Sequence, residues 1–346
     1  MKLLILGSGR VGAAAAAIAA RRDAFTEVIC ADIEGERARA AAEATDEDRF
    51  RAVAVDASDK AALVALLRAA RIECVLNACD PRFNPPILRA VRAAGANYVD
   101  MRLGDPPFDA HREWRDAGQL ALVGLGAEPG VTDVFARYAR DQLFSAIDEV
   151  GVRVTGVRTT VAEVLKPPVI WERERGFVSA APLSEPQTFD FPAGIGPVEC
   201  VNVEHDEVVL VPRVVDCERV SFKHGLGADL IGELRERGGD AATATLPEPL
   251  ARGGKACAGT YVTGTGQDGR PRRTYLHHVV DDEWSLREYG HQAVAWQTAV
   301  CAVVALELIA DGTWTGAGVL GPEAFDAVPY LERLADYGAP HAVDER

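Results

Sequence analysis

Gly7-Ser8-Gly9-Arg10-Val11-Gly12 sets three glycines at the spacing that lets a backbone turn tightly, approach a ligand closely and pack against a helix. The motif follows the apolar run Lys2–Leu6 and opens an alanine-rich stretch, so the predicted context is strand, turn and helix. Asp32 stands twenty residues after Gly12, at the end of the next apolar run. A helix N-terminus offers N–H groups and the positive end of its dipole to a pyrophosphate. A carboxylate one strand over can hold both hydroxyls of an adenosine ribose. Together these residues predict a nicotinamide-dinucleotide site. Asp32 would repel a 2′-phosphate, and Arg37 and Arg39 lie too far along to neutralise it, so NAD is expected over NADP. Ile33 and Asp56-Ala57 are further cofactor-binding candidates at the adenosine end. The spacing of Asp56 suits an adenine contact and a turn cap at 57–59 equally. Asn77-Ala78-Cys79 ends the fourth run, where small residues leave room for the nicotinamide ribose.

Those residues need a frame that brings strand ends together. Up to residue 125, short apolar runs (2–6, 27–31, 52–55, 74–77, 97–99 and 120–123) alternate with helical stretches (10–22, 35–44, 59–70, 86–94 and 108–117). Such alternation predicts right-handed crossovers and a doubly wound parallel sheet of the Rossmann kind, assigned to residues 1–128. After Pro129 the rhythm changes to a helix at 133–143 and longer strands at 149–157, 198–204, 207–211, 217–224, 256–264 and 272–280. Residues 182–196, rich in proline and glycine, read as a loop. An inserted α+β substrate and dimerisation domain is therefore expected over 129–289. The helices at 291–310 and 322–336 are expected to return to the first lobe as a 290–346 segment.

Composition removes several functions. The chain of 346 residues carries a net charge of −15, with acids spread throughout, which disfavours nucleic acid or an anionic membrane as partner. The most apolar stretch, 293–310, contains Gln297 and Glu307, so no membrane span is expected, and the start lacks signal-peptide blocks. Seven cysteines, with no C-x-x-C pair, suggest reduced thiols and a cytoplasmic setting. No H-E-x-x-H or clustered ligand set predicts a metal. His277-His278 point to opposite faces of one strand and cannot chelate together.

Beyond the glycine motif, "VLNACDP…AAGANYVDM", "GLGAEPGVTD", "GVLGPEAFDAVPYLERLADYG" and the middle segment "PPVIWERERGFVSAAPLSEPQTFDFPAGIGPVECVNVEHDEVVLVPR" resemble the saccharopine dehydrogenase family nearly end to end. The middle segment looks like its lysine 6-dehydrogenase-like branch. The resemblance implies a bilobal enzyme that moves hydride between NAD(P) and the carbon of a C–N bond in an amino acid or diamine. Amine oxidation needs a neutral nitrogen, whereas a free alkylammonium has a pKa near ~10.4, so a base is required. Glu128 follows the sixth strand and matches the acidic position of the family's Gly-x-Asp-Pro-Gly pattern. It is the expected base or ammonium anchor, its alternative being an acid in the first turn of the next helix. Asp100, after the fifth strand, is the second catalytic candidate, with loop capping as its alternative.

The chain has five lysines, and Lys166, Lys223 and Lys255 fall in the second domain. Lys166, Lys223, Arg213 and His224 are the substrate-binding candidates, since cations would hold a substrate carboxylate; His205 is a further possible acid. Two other functions remain open on sequence alone. One is a non-catalytic NAD sensor; the other is an aldehyde or alcohol dehydrogenase, whose acylating form would need a reactive Cys79 or Cys257. A homodimer, paired through the long strands of the second domain, is the expected assembly.

Overall fold

The computed structural model describes residues 1–105, 107–157, 159–237 and 254–346. Two compact units divide the chain: Met1–Gly130 with Tyr289–His291 and Ala295–Ala324, and Val131–Glu288 with Gln292–Val294 and Phe325–Arg346.

The first unit is built on β1 (Lys2–Leu6), β2 (Glu27–Asp32), β3 (Phe50–Ala54), β4 (Cys74–Asn77), β5 (Asn97–Asp100), β6 (Leu120–Leu122) and β15 (Gly318–Leu320). All pair in parallel, in the order β15-β6-β5-β4-β1-β2-β3. Leu3, Leu4, Ile5, Val75, Leu76 and Val99 are fully buried, as expected for strands covered on both faces. The strand order reverses between β1 and β4. In open parallel sheets that switch point leaves a crevice beyond the carboxyl ends of the strands. The turn after β1 and residues 77–79 after β4 flank it.

The helix Ala293–Ala310 is long and apolar enough to cross a membrane by length and composition. Most of it is buried inside the protein, and Glu307 within it pairs with Arg22 at 2.7 Å.

The second unit holds a mixed nine-stranded sheet. Its long strands are β7 (Phe144–Thr155), β13 (Lys255–Gly266) and β14 (Pro271–Asp281). Around them lie β8 (Val169–Glu172), β9 (Gly176–Ser179), β10 (Gln187–Phe191), β11 (Gly196–Asn202), β12 (Arg219–Gly225) and β16 (His341–Glu345). Among the described residues of this sheet, only β12 and β7 pair in parallel. The helix Val131–Tyr138 packs on this sheet, where Thr260 Oγ1 donates to the Thr132 carbonyl at 2.7 Å.

Three expectations are corrected here. The apolar run at 207–211 is a helical turn, Glu207–Leu210, followed by a 3-10 turn Val211–Arg213. Its β-branched residues suggested a strand, but Pro212 supplies no ladder N–H. The supposed loop at 182–196 contains β10, which pairs with β11 because Phe189 and Phe191 alternate into a cluster with Cys200, Cys257 and Tyr275. Finally, the 290–346 segment is divided. Residues Ala295–Ala324 belong to the first unit, whereas Phe325–Arg346 stay in the second. There the helix Ala327–Ala335 buries Tyr330, Leu331 and Leu334, and β16 pairs with β14.

Candidate active site

Gly7 sits at φ +96°, and a Cβ there would lie 2.9 Å from the Ala78 carbonyl. A Cβ on Gly12 would lie 1.8 Å from the Gly7 carbonyl oxygen. These two glycines therefore serve close packing of turn, helix and β4. Gly9 is different: a Cβ there meets nothing within 4 Å. The open space lies where the N-terminus of the helix Arg10–Ala20 begins, capped by no side chain and with no acid in its first turn. Backbone N–H groups and dipole are thus available to an anion, and the cradle fits a dinucleotide pyrophosphate. Ser8, Arg10 and Val11 complete this turn.

Asp32 ends β2 and is 8% exposed. Its Oδ2 accepts from the Ser8 N–H at 2.8 Å and its Oδ1 from the Glu34 N–H at 2.9 Å. The carboxylate is therefore held rigidly beside the glycine turn, and each oxygen keeps further acceptor capacity for a sugar hydroxyl. Ile33 is among the most exposed apolar side chains described. Asp56 caps its own turn, with Oδ1 accepting from the Ser58 N–H at 2.8 Å and hydroxyl at 2.7 Å, bonds that lower its pKa; Ala57 lies within that turn.

A buried chain of hydrogen bonds runs from the switch point to the loop bearing Glu128. Asn77 Oδ1 accepts from the Cys79 N–H at 3.0 Å, and Asn77 Nδ2 donates to Tyr98 Oη at 2.9 Å. Tyr98 Oη donates to Asp100 Oδ2 at 2.9 Å, and Asp100 Oδ1 accepts from the Gly124 N–H at 2.7 Å. Asn84 joins the chain through Asn77. Asp100, 2% exposed, is thus a positioning carboxylate, the capping alternative rather than a group open to ligand. The loop it anchors closes on itself: the Gly126 N–H donates to the Pro129 carbonyl at 2.7 Å, and a Cβ on Gly130 would lie 2.1 Å from the Gly126 oxygen. Glu128 is carried in this closed loop, beyond the carboxyl end of β6, half-buried.

Cys79 has its Sγ 3.4 Å from the Leu6 carbonyl, and burial first, then the charges of Asp32 and Asp80, push its thiol up to about 12. At neutral pH that leaves almost no thiolate, the form that attacks carbonyls and alkylating agents. Cofactor binding and turnover are therefore expected to survive iodoacetamide at pH 7.5. Inactivation tracking Cys79 labelling by mass spectrometry would contradict this and favour acylating chemistry.

The four substrate-binding candidates of the second unit do not converge. Lys166 is exposed, 3.6 Å from Glu204, and Arg213 is exposed on its 3-10 turn. Lys223 and His224 are neighbours on β12 and point to opposite faces. The Lys223 ammonium is taken up by the Glu185 carbonyl at 2.6 Å, and burial, with Arg153 nearby, lowers its pKa. Beside it on β7 lies Arg153, 2% exposed, whose Nε donates to Gln187 at 3.0 Å and whose Nη2 lies 3.5 Å from Glu149. A lone arginine inside the apolar run at 149–157 was the readable signal for that buried polar layer.

Burial depresses His224 and His278 to about 4, below the usual 6.5. The unfolded chain therefore binds more protons between those values. The stability each neutral ring contributes is full above pH 6.5 and is lost as pH falls towards 4, about 2 kcal/mol each at pH 5. Melting should drop by several degrees between pH 7 and pH 5, and His224→Asn should flatten that drop. Equal melting of wild type at both values would contradict the neutral assignment.

Residues 3–122 match the family described as "Saccharopine dehydrogenase NADP binding domain" and residues 126–339 that described as "Saccharopine dehydrogenase C-terminal domain". The chain belongs to the saccharopine dehydrogenase family. It is accordingly an oxidoreductase with a nicotinamide-dinucleotide site. Among family relatives, a carboxynorspermidine synthase of Vibrio alginolyticus is 28% identical, covering 86% of this chain and 83% of its own. A carboxyaminopropylagmatine dehydrogenase of Synechocystis sp. is 26% identical over 98% of this chain and 96% of its own. The fold matches apo saccharopine dehydrogenase (L-Glu forming) from Saccharomyces cerevisiae, with TM-score 0.76 and 14% identity, covering 100% of this chain and 99% of that one. It also matches a homospermidine synthase from Legionella pneumophila in complex with NAD, with TM-score 0.70 and 14% identity, covering 100% and 91%.

Proposed function

We propose that the protein is an NAD-preferring oxidoreductase that makes or oxidises the C–N bond of a small carboxylated amine. The relatives named for carboxynorspermidine and carboxyaminopropylagmatine point to that substrate class, narrower than amino acids or diamines in general. The observation that carries the reading is the hydrogen-bonded line from the glycine turn's crevice through Asn77, Tyr98 and Asp100 to the Glu128 loop. It holds a carboxylate in register with a dinucleotide site. When bound, the nicotinamide ring supplies the hydride exchange at the C–N carbon. Glu128 takes the ammonium proton, so that the nitrogen lone pair is available as the hydride leaves. Asp100 and the bond between Gly126 and Pro129 keep Glu128 from drifting. Asp32 supports NAD, because its fixed negative charge disfavours a 2′-phosphate. A reducing, cytoplasmic setting is supported by seven free cysteines, six of them buried. Self-association through the second unit completes the proposal.

The test is to mix the full chain with NAD or NADP and with carboxynorspermidine, carboxyaminopropylagmatine, saccharopine or lysine, and to follow reduced-cofactor absorbance. Turnover of at least one amine, faster with NAD, is expected. Turnover of an alcohol or aldehyde with none of the amines would overturn it.

A further inference from the structure

A cavity of about 510 Å³ opens on the first unit between the helix Asn84–Ala94 and residues 107–114, which hold the 3-10 turn Phe108–Ala110 and most of the first turn of the helix His111–Asp116. That volume falls within the range of small-molecule sites. Among the described residues, its lining shares none with the glycine turn, Asp32 or residues 77–79. Helical spacing explains its walls. Pro85, Leu88, Arg89, Arg92 and Ala93 recur three or four residues apart and so occupy one face of their helix. Opposite them, Pro107, Ala110 and Trp114 supply apolar surface, while Asp109 and Glu113 supply charge at the same spacing. Trp114 is 2% and Leu88 7% exposed, which makes an apolar floor held by the core. Charge is divided between the walls. Lys60, from the helix Lys60–Ala70, joins Arg89 and Arg92, and Asp105 joins Asp109 and Glu113. Arg92 and Glu113 meet across the groove at 3.0 Å. Both walls lead back from the carboxyl edge of one parallel sheet, so Arg89 and Asp109 stand one turn nearer that edge. These two form no ion pair with each other. Lys60, Arg89, Asp105 and Asp109 are all exposed, and among the described residues none of them has an ion pair.

We propose that this groove is a second ligand site, separate from the dinucleotide turn, for a small zwitterion: an ω-amino or ω-guanidino carboxylate. Its carboxylate lies on Arg89 and Lys60, where a guanidinium fork can take both oxygens. Its cationic end lies on Asp105 and Asp109. The apolar chain between them covers Leu88 and Trp114. A ligand of one charge would leave the opposite wall facing an uncompensated end, so the two-walled arrangement selects for both charges on one molecule. The bond between Arg92 and Glu113 shows that the two walls attract where they touch, and it pins the groove at that point. All of these residues belong to the first unit. The site therefore stands independently of the amine–imine reading.

Calorimetric titration of the full chain with 6-aminohexanoate tests this. Saturable binding is expected, with a Kd on the order of 1 mM or tighter. Hexanoate and hexylamine, which each carry only one of the two charges, are expected to bind about tenfold more weakly or not at all. Arg89→Glu sets a like charge against the ligand's carboxylate and Asp109→Lys sets one against its ammonium. Each should weaken 6-aminohexanoate by about tenfold or more. Both side chains are exposed and without an ion pair to lose, so melting temperatures equal to wild type are expected and verify folding. No saturable binding of 6-aminohexanoate, equal affinity for either single-charge analogue, or an affinity untouched by either substitution would each overturn the proposal. None of these results bears on amine oxidation, which is read separately from reduced-cofactor absorbance.

Discussion

Glu128→Gln is expected to lower kcat for amine oxidation by roughly 10²–10⁴-fold, the usual loss for a positioned general base, with cofactor affinity unchanged. Glutamine keeps the size and polarity of the side chain but cannot take the ammonium proton. Because only the neutral amine can then react, the residual rate should rise about tenfold per pH unit below the amine's own pKa, near ~10.4. Steady-state kinetics from pH 7 to 10 on wild type and variant check both statements. A variant with wild-type kcat at pH 7.5 would return Glu128 to a purely local role in the first turn of the helix that follows.

Two glycine substitutions, only three residues apart, are expected to fail in different ways. In Gly9→Val the added Cβ has open space around it, with no atom beyond its chain neighbours within 4 Å. Melting should be unchanged, while the pyrophosphate loses its close approach and affinity falls by about 100-fold, equivalent to some 3 kcal/mol. In Gly12→Val the Cβ would stand 1.8 Å from the Gly7 carbonyl oxygen. The turn must open, at a cost on the order of 3 kcal/mol, so both affinity and melting temperature fall. Calorimetric titration with NADH, paired with thermal melts, distinguishes the two. Gly9→Val binding as wild type would mean that the dinucleotide does not pass over this turn.

The first unit was largely legible because each of its signals is local. The glycine spacing, the apolar runs at 2–6 and 74–77 and the carboxylate at Asp32 all act within one strand–turn–helix step, and β1 and β4 have the bounds expected. Asp100 was visible as a residue but not as a role: Tyr98 is its neighbour on β5, but Asn84 and Gly124 meet it only from other elements and loops. In the second unit the determining contacts are non-local. Phe189 and Phe191 form a strand because Cys257 and Tyr275, far along the chain, complete their cluster. Proline punctuation on either side of β10 concealed this. Glu207 was hidden for a related reason, although His205 had been legible as a possible acid. The run at 207–211 is β-branched and reads as a strand by propensity, whereas burial of Glu207 against Thr132 and His205 favours a helical turn. Lys223 illustrates the opposite error: a cation in a suitable strand, already bound to Glu185.

Selection of the dinucleotide is expected to depend on Asp32 and the glycine turn acting together. Fluorescence titration of the full chain with NADH and with NADPH, on wild type and on Asp32→Ala, addresses that directly. The expected result is saturable binding of NADH that is tighter than that of NADPH, with the preference lost or reversed in the variant. Failure of the wild type to bind either dinucleotide, or a preference untouched by Asp32→Ala, would contradict it.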